Sequence, residues 1–140
     1  MEGGEKMIVG IDLDGVLTNI PLRTKLKLPW WLGLWLAFVP VNQKMLSILK
    51  KWRKNNCRII IISGRPEGLL KITQQWLEKN QVPYDKIFLN NGKQKEEQKL
   101  EIIKREGVSV FFEDDPLVFN FLTRKCPRLK IFSPKQIRRF

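Results

Sequence analysis

Ile8-Val9-Gly10-Ile11-Asp12-Leu13-Asp14-Gly15-Val16-Leu17-Thr18 sets two carboxylates two residues apart, between a short apolar run and a glycine. A short apolar run ended by a turn residue reads as a buried strand. On a strand, side chains at i and i+2 point the same way, so Asp12 and Asp14 are expected to face one site. Gly15 lets the chain bend and lets a ligand approach the backbone. Two like charges this close at a dry strand end are costly unless a cation lies between them. The plainer alternative is an Asp-rich turn that caps the next segment.

Outward from this stretch, strands and helices alternate. Asn42 reads as an N-cap, followed by Met45, Leu46, Leu49 and Trp52 at helical spacing. Ile59 to Ile62 is a second strand, and Glu67 to Asn80 a helix opened by Pro66. Lys86 to Leu89 is a short strand, Gln94 to Glu106 a helix stopped by Gly107, and Val108 to Phe112 a further strand. Pro116 opens a helix, Leu129 to Phe132 is a last strand, and Pro134 opens a terminal turn or helix. This alternation predicts an α/β fold with a doubly wound parallel sheet. Such sheets bind ligands at the carboxyl ends of their strands, at a topological switch point. Asp12, Ser63 and Asp114 each follow a strand's carboxyl end.

The segment Asp12-Leu13-Asp14-Gly15-Val16-Leu17-Thr18 resembles the first motif of the haloacid dehalogenase-like phosphohydrolases. Three later signals match that family in order: Ser63-Gly64 after the second strand, a lysine among Lys93, Lys95 and Lys99 near a helix start, and Glu113-Asp114-Asp115 after the fourth strand. The resemblance covers about residues 7 to 122 and implies a Rossmannoid phosphatase with a very small cap insertion. It implies Asp12 as nucleophile and Asp14 as general acid and base, Asp14 protonating the leaving oxygen and then activating water. It implies Mg²⁺ held by Asp12, Asp114 and the main-chain carbonyl of Asp14. Ser63, Gly64 and Arg65 are the expected phosphoryl contacts, and a lysine balances the negative charge. Lys99 is preferred, because it precedes the apolar face of Leu100 and Ile103; Lys95 and then Lys93 are the alternatives. Asp115 is read as the cap of the helix that Pro116 begins. Ser63-Gly64-Arg65-Pro66-Glu67, with Thr73, Trp76 and Leu77 downstream, also looks like the second-motif region of polynucleotide 3′-phosphatases. There Arg65 would lie near phosphate; its plainer role is a surface arginine at a helix start.

Composition narrows the alternatives. A chain of 140 residues, 43% of them hydrophobic, is long enough for one domain with a real core. The expected organisation is one domain over 1–140, with 19–41 as a cap-like insertion. There is no histidine, which excludes a Ser-His-Asp hydrolase and a histidine-based metal site. Cys57 and Cys126 have no metal-ligand spacing and point to a reducing, cytoplasmic setting, with Cys57 a buried structural thiol. The longest strongly apolar stretch, Trp30 to Val41, falls short of the about 20 residues that a membrane-spanning helix needs.

That stretch holds Trp30, Trp31 and Trp35 beside Lys25, Lys27 and Lys44, where relatives place a cap. Lid packing, a homodimer contact, peripheral attachment to an anionic membrane and base stacking are its open roles. The expectation is that Trp30–Val41 covers the mouth of the site and leaves some apolar surface exposed. Charge is the other unusual feature. The formal net charge is +12, and no acid occurs between Asp14 and Glu67 or after Asp115. Such a field attracts phosphorylated substrates, nucleic acid or anionic lipid. The sequence therefore reads as a small Mg²⁺-dependent phosphatase. The rival reading is a weakly catalytic or non-catalytic module of the same fold that binds membrane, nucleic acid or protein.

Overall fold

A computed structural model describes residues 7–18 and 36–139. The cap expectation, with Trp30, Trp31 and Trp35, lies largely outside the described residues. Among the described residues, five strands form one parallel sheet: β1 (Ile8–Ile11), β2 (Arg58–Pro66), β3 (Lys86–Asn90), β4 (Val110–Phe112) and β5 (Lys130–Phe132). Their spatial order is β3-β2-β1-β4-β5. The chain runs from β1 outward to β3, then returns across β1 to start β4. The switch point therefore falls between β1 and β4, where Asp12 and Glu113 emerge.

Among the described residues, four helices cover the sheet: α1 (Gln43–Lys54), α2 (Leu70–Lys79), α3 (Lys95–Glu106) and α4 (Pro116–Lys125). The alternation of the strands decides which helix each side chain meets. Ile59 and Ile61 of β2 join Val9, Ile11 and Phe112 in a core with Met45 and Leu49 of α1 and Trp76 and Leu77 of α2. Ile60 and Ile62 point the other way, with Phe111, to Ile102 and Ile103 of α3 and Val118 and Leu122 of α4. Both faces of β2 are buried, which explains its unbroken isoleucine run. Gly10 is required on the second face: a Cβ there would stand 2.7 Å from the Phe111 ring.

Element ends follow local chemistry. Asn42 caps α1, its Oδ1 accepting from Met45 N at 3.2 Å. Gly107 ends α3 with φ +74°, and Asp115 caps α4 by accepting from Leu117 N at 2.9 Å. The tail of the Trp-rich segment packs along α2. Trp76 Nε1 donates to Val39 O at 2.8 Å, and Lys79 Nζ lies 5.3 Å from the centre of the Phe38 ring. Val41 then bridges to Thr18, returning the chain to the loop after β1. Among the described residues, no helix is long and apolar enough to cross a membrane.

Candidate active site

The loop after β1 departs from the expected strand geometry. β1 stops at Ile11, and Leu13–Leu17 forms a tight turn closed by Thr18 N donating to Leu13 O at 3.0 Å. Gly15 takes φ +82°, a left-handed conformation that glycine adopts without a Cβ penalty. The turn breaks the i, i+2 alternation, so the two acids meet different partners. Asp12 turns to a lysine from the second face of the sheet, and Asp14 to an arginine from β2. Asn42 anchors the turn to α1: its main-chain N donates to Leu17 O at 2.7 Å and its Nδ2 to Val16 O at 3.2 Å.

Lys99 is the lysine that reaches Asp12. Its Nζ lies 3.3 Å from Asp12 Oδ1 and 2.7 Å from Glu113 Oε1, and its side chain is 4% exposed. The two alternatives go elsewhere, Lys95 to Asp115 and Lys93 to Glu101. The i, i+4 spacing on α3 stacks Lys95 above Lys99 on one helix face, so one lysine reaches the floor of the site and the other its rim. Burial pushes Lys99 toward losing its proton, but Asp12 and Glu113 outweigh it and hold the ammonium above the usual lysine range. Asp12 is raised well above the usual carboxylate range by burial and then by the charge of Glu113, against the pull of Lys99. Two acids face one cation here, so the buried group carries excess negative charge that favours a proton or a further cation.

Asp14 is gripped by Arg65. The guanidinium donates from Nε to Asp14 Oδ2 at 2.8 Å and from Nη2 to Oδ1 at 2.6 Å. Its Nη1 donates to Thr73 Oγ1 at 3.0 Å. Arg65 is buried, and the structure thereby corrects the plainer reading of a surface arginine. Burial raises the Asp14 carboxyl, and the paired Arg65 only partly offsets it. Ser63 is also buried, and its Oγ accepts from Arg65 N at 3.1 Å, which leaves the hydroxyl proton to donate elsewhere. The β2–β3 register shifts between Ile62 and Pro66, so Ser63-Gly64-Arg65 forms an irregular edge beside the β1 turn.

Asp114 comes to the same place from β4. A Cβ on Gly15 would collide with the Asp114 carboxylate, so the missing side chain is what lets that carboxylate lie against the turn. Among the described residues, no three His, Cys, Asp or Glu side chains gather into a ready metal cage. The set expected from sequence is different: two carboxylates and one main-chain carbonyl, with waters filling the remainder, as Mg²⁺ accepts. Its donors are all hard oxygens, and the cradle at Gly15 accommodates Asp114, so the residues fit that cation.

Two residues of the site carry no role in the sequence reading. Glu113 has no exposed surface and accepts from Lys99 Nζ and from the main-chain N of Asp114 (3.0 Å) and Asp115 (3.1 Å). Its signal was an acid placed directly after a fully buried strand, where it must find a cation. Thr73 is a polar residue on the apolar face of α2, and it orients Arg65.

No family model matches the chain, and no curated protein matches it. Solved structures do. A chain from the structure of the Pnkp1/Rnl/Hen1 RNA repair complex superposes with a TM-score of 0.73 at 22% identity, over 91% of this chain and 42% of that one. This chain thus spans less than half the length of that match. The class C acid phosphatase from Bacillus anthracis gives a TM-score of 0.67 at 20% identity, over 95% of this chain and 69% of that one. The D,D-heptose 1.7-bisphosphate phosphatase from B. bronchiseptica, complexed with magnesium and phosphate, gives 0.61 at 11% identity, over 91% and 78%. Likeness at these identities establishes the fold alone: a parallel α/β sheet flanked by helices, which this chain shares with those proteins.

Proposed function

We propose that this chain is a Mg²⁺-dependent phosphatase that hydrolyses a phosphomonoester through an aspartyl-phosphate intermediate on Asp12. The observation that carries this reading is the placement of Asp12 at the carboxyl end of the central strand, buried beside Lys99 and two residues before the arginine-held Asp14. In the first step an Asp12 oxygen attacks phosphorus, the bond to the leaving oxygen breaks, and that oxygen takes a proton from Asp14. In the second step water attacks the same phosphorus, gives a proton to Asp14 and releases Asp12 and inorganic phosphate. The raised carboxyl of Asp14 suits a group that must hold a proton before it gives one. Lys99 balances charge on the nucleophile. The hydroxyl of Ser63, the main chain at Gly64 and the N–H groups of Arg65 not used by Asp14 and Thr73 are donors for phosphoryl oxygens. Mg²⁺ would be held by Asp12, Asp114 and the main-chain carbonyl of Asp14, and would neutralise the phosphoryl charge.

The substrate class we favour is a nucleotide or a polynucleotide end. Its support is the Ser63-Gly64-Arg65 segment backed by Thr73, together with the likeness to a chain of an RNA repair complex. The test is phosphate release from a panel of phosphomonoesters that includes 3′-phosphorylated oligonucleotides, with Asp12→Asn as the control. Turnover is expected for the wild type and absent from the variant, since an amide is a poor nucleophile. Wild-type activity in Asp12→Asn would refute the assignment.

A further inference from the structure

We infer that the exposed face of α1 is a docking surface for the phosphodiester backbone of single-stranded nucleic acid. At about 100° per residue, Gln43, Lys44, Ser47, Lys50, Lys51 and Lys54 fall on one stripe roughly 120° wide. All six are exposed, while Met45, Leu46, Ile48 and Leu49 are buried beneath them. A shallow groove of about 420 Å³ follows the stripe, with Leu46 at its floor. None of the four lysines makes an ion pair with a described residue, and no acid occurs between Asp14 and Glu67 to neutralise them.

The helix itself does not account for this arrangement. The macrodipole favours Lys51 and Lys54 in the last turn, but it disfavours Lys44 in the first and is indifferent to Lys50. Lys50 and Lys54, and Lys51 and Lys54, are like-charge neighbours that work against the helix. A row of uncompensated cations along one helix is what a polyphosphate strand neutralises. The stripe carries no apolar side chain, and the apolar side of α1 is already in the core, so α1 has nothing to insert into a bilayer. Its lysines are placed to contact phosphates, and phosphate contacts carry no sequence information, so binding is sequence-independent. Asn42 ties the start of α1 to the turn that holds Asp12 and Asp14, so the stripe begins near the catalytic edge and runs about 18 Å along the helix. The inference extends the polynucleotide reading to a surface outside the site, and its test reads binding alone, so it stands or fails separately from the chemistry at Asp12.

The experiment measures fluorescence anisotropy of a labelled oligothymidine of about 20 nucleotides, without a terminal phosphate, across a salt series. The full chain is compared with K44Q/K50Q/K51Q/K54Q and with K71Q/K104Q/K125Q/K130Q, which changes the net charge equally through exposed lysines elsewhere. Four phosphate contacts contribute about 3 to the slope of log affinity against log salt, or about 50-fold between roughly 50 mM and 200 mM. The α1 variant should lose that part of the slope and at least about tenfold in affinity at the lower salt. The control should keep its slope within about one unit. Thermal melts of both variants check folding, and the α1 variant should melt close to the wild type, since the relief of like-charge pairs offsets the lost dipole interaction of Lys51 and Lys54. Equal losses in the two variants would reduce the effect to net charge and overturn the inference. So would an unchanged α1 variant, or a variant that keeps oligonucleotide binding while losing anionic vesicles.

Discussion

Replacing Glu113 with Gln tests whether the floor of the site is built as a shared ion group. Glu113 accepts three hydrogen bonds: from Lys99 Nζ at 2.7 Å, from Asp114 N at 3.0 Å and from Asp115 N at 3.1 Å. Gln offers one oxygen and one NH₂ group in the same space. If the oxygen stays with the two main-chain N–H groups, the amide nitrogen faces the Lys99 ammonium, donor against donor. One charge-assisted bond is then lost, worth about 1.5–3 kcal/mol. The Asp12 contact of Lys99 at 3.3 Å remains and shortens the loss, leaving an expected destabilisation of about 2 kcal/mol. At about 4 °C per kcal/mol for a chain of this length, Tm should fall by about 8 °C. The same change removes the charge that helps to raise Asp12, so the Asp12 carboxyl should move down toward its usual range. Lower stability and a more acidic Asp12 should therefore appear together. Scanning calorimetry reads the first, and the acid limb of the pH–rate profile, shifted to lower pH, reads the second. A Tm within about 1 °C of wild type would refute the reasoning about Glu113, because a fully buried charged acceptor cannot lose its lysine at no cost.

Thr73→Val keeps shape but leaves Arg65 Nη1 buried without its acceptor, and urea unfolding should show a loss of about 1–2 kcal/mol that Thr73→Ser does not reproduce. Asp114→Ala should weaken Mg²⁺ binding in calorimetric titration, whereas Asp115→Ala should mainly destabilise α4, by about 1 kcal/mol, through loss of its cap; the reverse order would place the metal ligand at Asp115. Asp85 is pushed up by partial burial but pulled down further by Arg53 and the Ile59 N–H, so its folded carboxyl sits below the usual range. Its stabilising contribution is thus complete above the ordinary carboxylate value and disappears as pH falls through that value and the lower folded one. The Tm advantage of wild type over Asp85→Asn should accordingly shrink across that acid window and be constant near neutral pH.

Much of the architecture is local in origin and was legible in the chain. Ile59–Ile62, short, β-branched and with no polar break, reads as a strand buried on both faces, and Asn42, Gly107, Asp115 and Pro116 mark helix ends by their own hydrogen bonds and torsions. Asp12 and Asp114 come just after strands and Ser63 lies in the carboxyl-terminal part of β2, which runs on to Pro66; in a parallel sheet all strands end on one edge, so their convergence followed from alternation alone. Other features depend on contacts between segments distant in sequence. Lys99 is set apart from Lys95 and Lys93 along the chain only by its place before the apolar face of Leu100 and Ile103; the seating of α3 on the sheet is what sends Lys99 to Asp12 and Lys95 to Asp115. Arg65 reads either as a phosphate contact or as a surface residue, and its grip on Asp14 is not legible until β2 lies beside the β1 turn and places Asp14 and Thr73 around its guanidinium. Glu113 looks like half of an acidic pair, and becomes the anchor of Lys99 only because β4 is buried on both sides and no water remains to solvate it. Hydrogen-bonding and torsional preferences act over a few residues and can be read in order, whereas the partner of a buried charge is whatever the packed sheet and helices bring within reach.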